Sequence, residues 1–187
     1  MTLSPFSSSN PHRGTLTVPS LPRVRSHSQV LETLFCNFDF DLEQVSNTID
    51  PILTAQSRCE ITSLYIQGII SGSSAFLCTN INDEHAIHVT TKTSSWLVGQ
   101  SARCAITIPH SEVSACHAAI GYQPDRGFFI TDVGSGTGTW INRRQLEPHQ
   151  RRTLYDGDLL ELGSLQVEFF VEVFSPFLGS GIDETRF

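Results

Sequence analysis

Between Ala75 and Phe174, short apolar runs alternate with turn signals about every 8–12 residues, and this pattern constrains the chain most. The runs are AFLCTN, AIHVTT, SWLVG, AITI, HAAIGYQ, GFFITDV, GTWIN, DLLELG and LQVEFFVEVF. In the last, Leu165, Val167, Phe169, Val171 and Val173 fall on one face, with Gln166, Glu168 and Glu172 on the other. That is the two-residue period of a half-buried strand. Many short strands with Gly-rich turns predict a mainly β protein, an antiparallel β-sandwich over 74–174.

The segments before and after differ. Residues 1–28 are rich in Ser, Pro and Arg, with no apolar period, and read as a disordered tail able to carry phosphorylation sites or a short motif. From 29 to 70 the steps become helical: Val30, Leu31, Leu34, Phe35 and Phe38, then Leu42, Val45, Ile49 and Ile52. Asp39 or Asp41 is available as a helix cap, and Pro51 kinks the second stretch or begins a new turn. A third stretch, Ile61, Leu64, Tyr65 and Ile69, suits a helix face or a strand. Residues 29–73 are thus an acidic, partly helical segment ending in the linker SGSS. Its amphipathic face suits either packing within the chain or docking on a partner. Residues 175–187 read as a flexible tail.

The formal net charge of −7 excludes a broad basic face for nucleic-acid backbones or anionic lipid. No apolar run approaches the ~20 residues of a membrane helix, so no membrane insertion is expected. Five dispersed cysteines without a C-x-x-C pair make a poor disulfide framework and a poor zinc site. Reduced thiols, and no secretory h-region, predict a cytoplasmic protein.

Three blocks carry functional information: V-G-Q-S-A-R-C-A-I-T-I-P-H-S-E-V-S-A-C-H from Val98, then D-V-G-S-G-T-G-T-W-I-N, then L-Y-D-G-D-L-L-E-L-G. Their order and spacing resemble the forkhead-associated (FHA) domain. That family shows Gly-Arg, then Ser-x-x-His, then Asn-Gly-Thr, then a late Asp-Gly-Asp. The resemblance covers about 100 residues. It implies an eleven-stranded β-sandwich binding phosphothreonine peptides on loops at one end. Gly99 matches the Gly of Gly-Arg, and Gln100 falls where the phosphate-binding Arg belongs. Ser114 and His117 match Ser-x-x-His, and Ala115 takes a place often held by a basic residue. Thr137 replaces the Asn that holds the peptide backbone, before Gly138 and Thr139. Asp156, Gly157 and Asp158 match the late turn.

Each departure has a physical meaning. A phosphomonoester favours charge-assisted donors, above all the planar Arg fork. A neutral Gln100 in its place removes roughly 1.5–3 kcal/mol, tenfold or more in affinity. Ser114 stays as a phosphate donor, and Arg103 is the best substitute cation if its loop folds inward. The resemblance makes His117 structural, fixing the loop by hydrogen bonds.

Rival chemistries fail on context. GSGTGT follows a strand but leads into another strand, not the helix N-terminus a nucleotide loop needs. Ser114, His117 and Asp132 could be gathered into a hydrolase triad, but such residues co-occur by chance, and Cys116 and His117 point to opposite faces of an extended strand. His85 and His88 have helical spacing in a segment that reads as a turn entering a strand. Arg143, Arg144, Arg151 and Arg152 read as solvated turns, with an acidic partner surface as the alternative. The expectation is a non-enzymatic module without cofactor or metal. It recognises a threonine-phosphorylated protein partner or, alternatively, serves as a phosphate-independent scaffold or subunit of a larger complex.

Overall fold

Two amphipathic helices precede the strands in the computed structural model, which describes residues 25–39, 41–82 and 86–174. The tails expected at 1–24 and 175–187, and His85, lie outside the described residues. Helix α1 (Arg25–Asn37) starts inside the segment expected to be a disordered tail. Helix α2 (Leu42–Thr54) is capped by Asp41, whose carboxylate accepts from the N–H of Glu43 and Gln44 at 3.0 and 3.1 Å. It continues through Pro51 and ends in a 3-10 turn, Ala55–Arg58.

Twelve strands follow among the described residues. They are β1 (Tyr65–Ser71), β2 (Ser74–Thr79), β3 (His88–Val89), β4 (Ser95–Gly99), β5 (Ile106–Thr107) and β6 (Ala118–Gln123). Then come β7 (Gly127–Asp132), β8 (Thr139–Ile141), β9 (Arg144–Gln145), β10 (Arg151–Thr153), β11 (Asp158–Leu162) and β12 (Leu165–Phe174). One sheet has the order β3-β2-β1-β12-β11-β8-β9, the other β10-β7-β6-β4-β5. Pairings are antiparallel except β1 with β12 and β4 with β5. The β-sandwich with a small helical N-terminal part is therefore the fold.

Three details differ from the expectation. The sheet begins at Tyr65, ahead of residue 74, because the third apolar stretch takes its strand alternative and lies beside β12. Arg144, Arg151 and Arg152 lie in short edge strands rather than turns. Exposed edges tolerate charged residues and so show no apolar alternation. Leu42, at the start of α2, and Ile61, in the loop before β1, are 70% and 62% exposed, not on a buried face.

Both faces of the seven-stranded sheet are covered. Its inner face packs Ile66, Leu77, Val167 and Phe169 against Trp96, Ile120 and Phe128 of the other sheet. Its outer face offers Ile69, Phe76 and Cys78 to Val30, Leu34, Val45 and Ile52 of the helices. Of the two roles open to the 29–70 segment, packing within the chain thus occupies its apolar face. On β12 the outward Phe170 is buried beside Ala55 and Tyr65, and Arg58 lies 4.4 Å over its ring. Glu168, expected on a solvated face, is 4% exposed. Its carboxylate accepts from the successive N–H groups of Glu60, Ile61 and Thr62 at 2.8–3.2 Å. Three converging amides make such a burial tolerable.

Candidate phosphopeptide-binding loops

Three loops meet at one end of the sandwich. The first follows β4, the second joins β5 to β6, and the third joins β7 to β8. Gly99 is required where the first two touch: a Cβ there would lie 2.5 Å from Ala115 O and 2.9 Å from Ser114 O. With no side chain in the way, the N–H groups of Gln100 and Ser101 donate to Ser114 O and Ala115 O, both at 3.0 Å.

Ser114 joins the second loop to the third. Its hydroxyl oxygen accepts the N–H of Gly136 at 2.9 Å, which leaves the hydroxyl proton available to a ligand. The Thr137 hydroxyl donates to Glu112 O at 2.9 Å. Thr137 therefore tightens the loops, and its oxygen remains an acceptor.

His117 lies beneath, fully buried. Its Nδ1 accepts from Ser114 N at 3.1 Å, and its Nε2 lies 3.1 Å from Gly138 O. With Nδ1 as acceptor, Nε2 carries the proton and donates. Burial lowers the pKa of the ring and keeps it neutral, against the opposing pull of the Gly138 carbonyl and of Asp132. The Ser114 hydroxyl makes no bond to His117, so the hydrolase grouping does not assemble.

Asp132, which the sequence offered only as a member of a hydrolase grouping, organises the third loop. Its carboxylate accepts from the N–H of Gly134 and Ser135 at 2.8 Å, the Ser135 hydroxyl at 2.6 Å and the Thr139 hydroxyl at 2.7 Å. Burial raises its pKa, but these four donors outweigh burial and hold it at about 2. The Asp-x-Gly-Ser string at 132–135 was the available signal, since an Asp followed by small turn residues folds back on their amides. Gly138 then turns at φ +85°, and its N–H donates to Ser135 Oγ at 2.9 Å.

The positive charge is sparse. Gln100 is exposed, and its amide donates to His110 O at 3.3 Å. Arg103 is exposed, and its guanidinium has no hydrogen-bonding or ionic partner among the described residues. Gln100, Ser114, Thr137, Gly138, His117 and Thr139 are thus brought together with Gly99, and Arg103 lies on the same first loop.

Asp156, Gly157 and Asp158 are elsewhere. Thr139 pairs with Leu162 at one end of β11, and Asp158 begins the other end, about 13 Å away at strand rise. Asp158 accepts from Asn142 Nδ2 and Tyr155 N, shaping the turn. Asp156 holds Arg58 at 2.7 Å. His88 is exposed and lies 3.3 Å from Ala105 O. Among the described residues no group of His, Cys, Asp and Glu is placed to hold a metal ion, and no helix is long and apolar enough to cross a membrane.

The family model described as FHA domain matches residues 96–163. The chain is 36% identical over 87 residues to the chloroplastic zeaxanthin epoxidase of Prunus armeniaca, covering 44% of this chain and 13% of that protein. It is 32% identical over 68 residues to the FHA domain-containing protein PS1 of Arabidopsis thaliana, covering 36% and 5%. The matched segment is therefore a small part of each relative. Among solved structures it is similar to one from a study of phosphothreonine-dependent FHA domain interactions. That match has 22% identity, 46% and 83% coverage, and a TM-score of 0.39. It is also similar to the FHA domain of a protein from Chlamydia trachomatis, with 25% identity, 44% and 85% coverage, and a TM-score of 0.38.

Proposed function

We propose, from the premise that residues 96–163 form an FHA domain, that the chain is a non-enzymatic interaction module recognising a threonine-phosphorylated protein partner. The single observation that carries this is the Ser114 hydroxyl. Gly136 N–H occupies one of its lone pairs at 2.9 Å, so the group is aimed while its proton stays free for a phosphate oxygen. The Gly99–Arg103, Ser111–His117 and Gly134–Thr139 loops supply the surrounding surface. Thr137 Oγ1 accepts a backbone N–H of the bound peptide, the task of the family's Asn. Arg103, exposed and without a partner among the described residues, is the cation that turns to the phosphate.

A second reading is favoured by Gln100. Its neutral amide is already engaged by His110 O, so the position of the family's key cation offers no charge. On that reading the loops hold a partner independently of phosphate, as a scaffold or assembly subunit. Five free thiols suit a reducing compartment, and the cytoplasm is the assignment we make for either role.

Isothermal titration of matched phosphothreonine, phosphoserine and unmodified peptide libraries separates the two. Binding that requires phosphothreonine supports the first reading. Equal binding of phosphorylated and unmodified peptides overturns it in favour of the second.

A further inference from the structure

Two cysteines lie on the first and second loops, where the backbones of those loops are bonded to each other. Cys104 closes the first loop through its N–H bond to Ser101 O at 2.9 Å, and the residue is 7% exposed. That thiol donates to Ala115 O at 3.3 Å, on the residue just before Cys116. Cys116 is exposed and close enough to add, after burial, to the raised pKa of the Cys104 thiol. The flanking backbone is already held together, Gln100 to Ser114 and Ser101 to Ala115. The Cys104 sulfur therefore lies against the backbone that carries Cys116.

We propose that Cys104 and Cys116 are a reversible disulfide site, closed by peroxide, that staples the first loop to the second. Exposed Cys116 reacts as its thiolate. The sulfur takes an oxygen from hydrogen peroxide, giving a sulfenic acid and releasing hydroxide. The Cys104 thiol then attacks that sulfur. The S–S bond forms, the S–OH bond breaks, and hydroxide leaves with the Cys104 proton as water. Together two thiols lose two electrons and two protons, and one peroxide becomes two waters. Burial first, and Cys116 beside it second, raise the pKa of Cys104, which suits it to resolve rather than start the reaction. A thiol such as dithiothreitol reverses the bond by exchange.

The bridge also acts on the ligand loops, a consequence that rests on the phosphothreonine reading above. Ser114 is held between them, its carbonyl by Gln100 and its hydroxyl by Gly136. Drawing Cys116 toward Cys104 pulls Ser114 toward the first loop and away from Gly136. Phosphopeptide affinity is expected to fall about tenfold, the worth of one charge-assisted bond.

The full chain, dilute and reduced, is treated with hydrogen peroxide, alkylated and digested with trypsin. Cleavage after Arg103 and Arg126 leaves both cysteines on one peptide. The expected result is that peptide two hydrogens lighter, blocked to alkylation and restored by dithiothreitol. A second cut after Glu112 should leave its two halves joined. Cys116→Ser, at an exposed position, should abolish the species, and Cys104→Ser should do so independently. Both thiols still alkylated, or a bridge from Cys116 to Cys36 or to another chain, would overturn the proposal. Phosphothreonine-peptide titrations of both redox forms complete the test. Unchanged affinity with the bridge formed overturns the regulatory step. Absence of binding by the reduced protein, with the bridge formed, removes the phosphothreonine reading and leaves the disulfide site supported.

Discussion

The hydroxyl of Ser114 accepts the backbone N–H of Gly136 at 2.9 Å, joining two loops through residues 22 positions apart in the chain. The same residue's N–H is held by His117 Nδ1 at 3.1 Å, so both its backbone and its side chain are set from below. A donor positioned this way loses little entropy on meeting a ligand, which is the physical basis of preorganised recognition.

Ser114→Ala removes the ligand-facing donor and exposes the Gly136 N–H to water. Phosphopeptide affinity should fall about tenfold or more, the worth of a charge-assisted hydrogen bond, while stability changes by under about 1 kcal/mol. Titration calorimetry and thermal melts read the two effects separately. A large loss of melting temperature with unchanged affinity would mark Ser114 as a structural residue only.

Gln100→Arg restores a cation at an exposed position. It breaks one hydrogen bond, to His110 O at 3.3 Å, so the fold should tolerate it. Affinity for a phosphothreonine peptide should rise about tenfold, and the gain should shrink with added salt. No gain at low salt would mean that the loop does not present position 100 to the phosphate.

Stability should fall in two acid steps. The folded pKa of His117 lies below its ordinary value, because burial favours the neutral ring. The unfolded state then binds more protons just below about pH 6.5, so the His117 contribution is complete above that pH. It is lost as pH falls from there toward the folded value. Asp132 is depressed from 3.8 to about 2, so its contribution is complete above about pH 4 and disappears as pH falls through about 2. Urea denaturation across pH should show both limbs, and Asp132→Asn should erase the lower one alone. Persistence of the lower limb in that variant would assign it to another carboxylate.

Arg58→Ala separates the helical extension from the ligand loops. The side chain pairs with Asp156 at 2.7 Å and covers the Phe170 ring, at the far end of β11 from Gly138. The guanidinium is partly exposed, so the loss should be about 1 kcal/mol, with no change in peptide affinity. Hydrogen exchange should quicken in 55–62 and not in 111–117. Altered peptide affinity would show that the two ends are coupled.

Gly99→Ala has a different signature. Its Cβ would meet two backbone carbonyl oxygens, of Ala115 and Ser114, and backbone cannot rotate away as a side chain can. Destabilisation of about 2–4 kcal/mol is expected, together with lost peptide binding, read by denaturant midpoint and titration. Wild-type stability in this variant would mean that the two loops separate at no cost.

Much of the fold was legible because it is written locally. The alternation in β12 assigned Val167 and Phe169 to the inner core, and the helical steps assigned Val30, Leu34, Val45 and Ile52 to one face. The loop motif placed Gly99, Ser114, His117 and Gly138 at one site because their spacing is itself a consequence of the loops they shape. The edge strands β9 and β10 were not legible, since exposed arginines carry no apolar period. The organising role of Asp132 was not legible because it consists of four hydrogen bonds to neighbours, and a single letter records none of them.

By itself, then, the amino-acid sequence determined strand positions, turns, the amphipathic faces and the order of the loop motifs, because backbone geometry converts local spacing into a face or a turn. Only the tertiary structure decided that the helices cover the outer sheet, that Glu168 is buried under three amides, that Gln100 turns to His110 and that the Cys104 thiol lies against Ala115 O. Each depends on residues distant in the chain meeting in space. Such meetings are selected by the combined burial and hydrogen bonding of the whole molecule, which no short window of sequence contains.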